Sequence, residues 1–122
     1  TSPLGADDLS AFYKKQGYDG RFPRELNYTL LTYHGLGEFQ GKQVPQMIFF
    51  PRAGNGHAEV RVLSEKEFDL DNIAADFQSP PGYPFTVQLW KDAAGCAEII
   101  VFHGEGNGDW LRAEPLGGAG AN

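Results

Sequence analysis

Cysteine is nearly absent from this chain. Cys96 stands alone among 122 residues, so no internal disulfide can form. One thiol fits a reducing compartment, and also fits periplasmic proteins that do without disulfides. Basic charge is scarce too: 10 Lys and Arg face 16 Asp and Glu, a formal charge of −6, with no basic stripe. That argues against nucleic acid and against anionic membrane surfaces as partners. No apolar run approaches the ~20 residues that cross a bilayer, and no secretory signal opens the chain. Thr1 stands where an initiator Met would, so the chain is expected to be a piece of a longer protein.

Fold-building residues are plentiful, with 41% hydrophobic and 13% aromatic content. A domain of this size buries roughly two-thirds of its unfolded surface and folds without a metal or a disulfide. One phrase occurs twice, 39 positions apart: Gly56-His57-Ala58-Glu59-Val60-Arg61-Val62-Leu63 and Gly95-Cys96-Ala97-Glu98-Ile99-Ile100-Val101-Phe102. Each copy follows an apolar run and a Gly-containing turn, which reads as a hairpin. Asp7 to Gly17 reads as a helix, acids first and lysines last, with Leu9, Phe12 and Tyr13 on its buried stripe. A strand is expected over 26–34, a turn at Gln40-Gly41-Lys42, and a capping box at Ser64-Glu65-Lys66-Glu67 opening a second helix. The three prolines within Gln78–Pro84 make a rigid connector. A last helical turn is expected within 109–114. The reading is α+β, in the order α-β-β-β-α-β-β-α, with an antiparallel sheet of about five strands and a repeated hairpin–helix unit. Residues 1–22 form a leader and short helix, 23–115 the domain and 116–122 a disordered tail.

The reactive residue types give no convergent set. Gly104-x-Gly106-x-Gly108 lacks the following βαβ unit and acid of a dinucleotide site. His34, His57, His103 and Cys96 are zinc-type donors, but none are paired at the short spacings of a structural site. His57, Cys96 and His103 lie near strand ends, and hairpins bring such ends together, so these three are the weak metal candidates. A nucleophilic Cys96 needs a neighbouring base, and His103 lies roughly 20 Å along an extended strand. Asp69, Asp71 and Asp76 read as solvated helix surface. Glu59 and Glu98, the repeated acids, read as solvent-facing or as matched across strands. Tyr83, Trp90 and Trp110 are aromatics able to line a ligand or partner site. No catalytic residue and no cofactor are expected.

From Pro23 onward the chain resembles the extracytoplasmic domain that follows the membrane span in some bacterial transmembrane anti-sigma factors, of the planctomycete and proteobacterial type. The residues that carry the likeness are Pro23 through Leu31, Phe39-Gln40-Gly41-Lys42-Gln43-Val44-Pro45-Gln46-Met47-Ile48-Phe49, Ala58 through Leu63, Phe68-Asp69-Leu70 and Trp110-Leu111-Arg112. The resemblance implies a non-enzymatic sensory or regulatory domain outside the cytoplasmic membrane, acting on a protein partner or small ligand. It also implies a membrane-anchored parent. The zinc-binding His-x-x-x-Cys-x-x-Cys of the sigma-binding helices and the membrane span have no counterpart in this sequence. The alternative is a soluble small-molecule-binding or regulatory domain. Further off stands a small metal- or thiol-dependent enzyme using Cys96 with His57 or His103.

Overall fold

A computed structural model of the protein describes residues 5–18, 22–76, 85–91, 96–104 and 109–112. The expected tail 116–122 and the connector Gln78–Pro84 lie outside these residues. Helix α1 (Ala6–Lys14) starts where the Gly5 amide donates to Asp8 Oδ2 at 2.9 Å. Five strands follow: β1 (Leu31–Phe39), β2 (Lys42–Phe49), β3 (His57–Ser64), β4 (Thr86–Lys91) and β5 (Cys96–His103). Helix α2 (Leu70–Asp76) sits between β3 and β4. The strands form one antiparallel sheet in the order β1-β2-β3-β5-β4. The fold is α+β. Among the described residues, no helix is long and apolar enough to cross a membrane.

Several local details depart from the sequence expectations. The first strand begins at Leu31 because Tyr28–Leu30 winds into a 3-10 turn, with Asn27 Oδ1 accepting the Thr29 amide at 3.3 Å. Asn side chains compete with ladder hydrogen bonds in this way. The β1–β2 turn does fall where expected, at Gln40-Gly41, with φ of 51° and 81°, the left-handed pair that matches strand twist. Ser64 closes a turn instead of opening a helix: its Oγ accepts from the Lys66 amide, and its carbonyl accepts from the Phe68 amide. Asp69 starts α2 instead, accepting the Asn72 amide at 3.3 Å. The closing helix is, in the described residues, one 3-10 turn at Asp109–Leu111.

Register and alternation give the sheet two unlike faces. One face carries Met47, Phe49, Ala58, Val60, Val62, Cys96, Ile100 and Phe102, buried against Leu9, Tyr13, Phe22, Leu26 and Leu111. The other carries Val44, Leu63, Ala97 and Ile99, covered by Phe68 and Leu70 around α2. Phe12, expected inside, is 42% exposed and meets Tyr13 and His34 edge-on. A helix lying on a sheet buries only its innermost stripe, and α1 gives that stripe to Leu9 and Tyr13.

The Tyr13 hydroxyl donates to the Gly35 carbonyl at 2.7 Å, tying α1 to β1. Burial pushes this phenol from 10.0 up to about 12, with a smaller electrostatic push from Tyr33. The folded value lies above the unfolded one, so the stability tied to the neutral phenol is whole below pH 10 and lost as pH rises to about 12. Tyr13→Phe is expected to cost about 1 kcal/mol at neutral pH through the missing hydrogen bond. Melting temperatures across the alkaline range check this. The wild-type advantage over the variant should shrink between pH 10 and 12, and a constant difference would contradict it.

Candidate functional site

The face covered by α2 at one end carries a different population at the other. β3 presents His57 and Glu59 there, two residues apart and so on the same side. β5 presents His103, whose register partner is His57. His103 Nε2 and Glu59 Oε2 are 2.7 Å apart, and His57 Nε2 lies 3.9 Å from the same oxygen. The two imidazoles stack at 4.3 Å between centroids, 10° from parallel. Phe50 extends the stack on the His57 side at 5.4 Å, and Phe85 meets His103 at 4.4 Å. The three polar side chains keep 30%, 26% and 24% of their surface in solvent for His57, Glu59 and His103.

Glycines make this corner possible. Gly56 (φ +96°) precedes His57, and Gly104 (φ +115°) follows His103. A Cβ on Gly56 would lie 1.9 Å from the His103 carbonyl oxygen, and one on Gly104 would lie 3.0 Å from the Gly56 Cα. The two backbones therefore approach closely just beyond the histidine pair, as only glycine permits.

Of the weak metal candidates, His57 and His103 come together and Cys96 does not. Cys96 pairs with Ser64, at the opposite end of the β3–β5 ladder from His57 and His103. Seven residues of strand hold those ends roughly 20 Å apart. Cys96 also points to the other face, 2% exposed, so a thiol site shared with either histidine is ruled out by topology. His34 lies on that other face too, edge-on to Phe12 and Tyr13. Glu59 supplies the third donor, one that sequence reasoning placed as a solvated or paired residue. The signal was His57-x-Glu59 itself: two donors two residues apart share one side of a strand.

The repeated acids differ in setting. Glu98 is wholly buried on the core face, where the Cys96 thiol donates to its Oε2 at 4.0 Å. The expectation of a solvent-facing Glu98 fails because β5 is an inner strand covered on both sides at that point. The aromatic candidates also stand apart from the corner. Trp90 packs 6.1 Å from Phe102 and beneath the Arg112 guanidinium at 4.0 Å, and Trp110 meets Phe102 edge-on. Both belong to the α1 side of the sheet, as wall residues of its core. Tyr83 lies outside the described residues.

An open hollow of about 410 Å³ lies near α2, walled by Phe39, Phe68, Asn72 and Ile73. Lys42 spans its rim, donating to the Glu67 carbonyl at 3.0 Å. No convergent set of reactive groups lines it among the described residues. Comparison of the chain with known protein families, characterised proteins and solved structures returns no match.

Proposed function

We propose that this chain is a regulatory domain that works by binding and carries out no chemistry of its own, and that the His57–Glu59–His103 corner receives a small polar ligand. One observation carries the reading. Three ionisable side chains from two strands converge on one another at a sheet corner, partly in solvent, where none of them contributes to either core cluster. Flanking Phe50 and Phe85 give the corner apolar walls around a polar centre, the usual composition of a ligand site. The likeness of Pro23–Leu31 and Phe39–Phe49 to the extracytoplasmic part of anti-sigma factors supports placing this binding in signal transduction outside the cytoplasmic membrane.

A fragment screen by amide NMR on the isotope-labelled protein tests the binding site. Polar and anionic fragments are expected to move the amides of His57–Arg61 and Val101–Gly104 together. Hits confined to other regions, or no hits at all, would overturn the reading. The anchored placement has its own check in the parent gene. An apolar segment of ~20 codons upstream of Thr1 is expected, and an ordinary start codon at that point would remove it.

A further inference from the structure

We infer that the corner is a zinc-type divalent metal site, with His57, Glu59 and His103 as its three protein ligands. This rests on the reading of the corner as a binding site and specifies what binds there first.

The donor chemistry selects the class of ion. Two imidazole nitrogens and one carboxylate suit zinc and its first-row neighbours, whereas calcium and magnesium call for oxygen ligands throughout. One atom from each residue falls within a set whose members are all within 4.8 Å of one another. Ligands on a tetrahedral zinc stand about 3.3 Å apart, given bonds of ~2.0–2.1 Å. The Glu59 oxygen is 2.7 Å from His103 and 3.9 Å from His57, a spread that brackets that value. One of these gaps is shorter and the other longer than a metal requires, so an ion at the corner calls for the three side chains to adjust together.

The adjustment has a defined sense. Nearly parallel rings aim their nitrogen lone pairs side by side, so a shared ion requires the imidazoles to open from their 10° stack. Their backbones are tied together by strand pairing. His57 and His103 are register partners in the β3–β5 ladder, with the close Gly56–Gly104 approach beyond them. The ion replaces the His103–Glu59 hydrogen bond with a bond to each partner.

Three protein ligands also leave a coordination position open. All three side chains are about one-quarter in solvent, so that position is reached from outside and takes water or an external anion. The metal would then be the element through which the corner recognises its ligand.

The test uses the purified chain without a polyhistidine tag. Zinc titrated calorimetrically is expected to bind one ion per chain, undisturbed by excess magnesium, and to raise the melting temperature. Cobalt in its place is expected to give a visible ligand-field band that zinc abolishes. His57→Ala, His103→Ala and Glu59→Gln should each weaken zinc binding by more than the ~10–100-fold that a mere neighbour of a ligand is worth. Glu59→Gln preserves shape and keeps the test intact if His103→Ala misfolds. No zinc uptake by the wild-type chain, or uptake that all three variants retain, would overturn the inference. If zinc fails while fragments still move the His57–Arg61 amides, the metal falls and the binding reading stands. If zinc binds at these ligands and no fragment or anion follows, the metal stands and the small-ligand reading falls.

Discussion

Gly56→Ala is expected to lower stability by about 2–4 kcal/mol, a large loss for one methyl group. Two costs add. The residue's φ of +96° is one that L side chains rarely adopt, worth on the order of 1–3 kcal/mol by itself. The new Cβ also meets the His103 carbonyl oxygen at 1.9 Å and its carbon at 2.9 Å. Those are backbone atoms of a paired strand, so the ladder itself must shift. Gly54→Ala is the control, with φ of +92° but nothing within 4 Å of the added carbon. It should show the conformational cost alone. Urea denaturation of both variants decides the matter, and equal losses would mean that the close approach at the histidine corner is not a constraint.

The second large effect is expected on the other face. Phe102 is 5% exposed and is the residue that Trp90 and Trp110 both meet. Phe102→Ala should cost about 3–5 kcal/mol, the range for an aromatic removed from a packed interior. It should also shift tryptophan emission to longer wavelength in the still-folded protein, because both indoles lose their apolar neighbour. Native-state fluorescence beside a denaturation curve reads both consequences. Stability lost without any spectral shift would mean that the indoles do not lean on Phe102, and would return them to consideration as ligand-facing residues.

Much of this architecture was legible in the residues, and what was missed has two causes. The Gln40-Gly41 turn, α1 and both hairpins follow from local chemistry: turn residues, charge order and β-branched runs. The twice-written phrase does mark two strands, β3 and β5, and these pair with each other. The faces of the two copies were not legible. Glu59 and Glu98 occupy matching places in the phrase, yet one reaches a polar corner and the other a closed interior. Which side of a strand is wet depends on its neighbours in the sheet, and nothing local encodes that β5 lies inside. The start of β1 failed for a local reason, since Asn27 captured the Thr29 amide. At the site, the histidines were recognisable as strand-end residues beside glycines, and Cys96 looked no different. Only the antiparallel register separates them, by joining His57 to His103 and sending Cys96 to Ser64.

The sheet order has a consequence for biosynthesis. β5 is made last of the five strands, yet it lies between β3 and β4. As the chain leaves the ribosome, β1, β2 and β3 are ready to zip up as a meander, while the ladder edge of β3 stays open until the final strand arrives. Such an edge is a template for a neighbouring nascent chain. Products truncated before Cys96 should therefore be far more prone to clump than the finished domain.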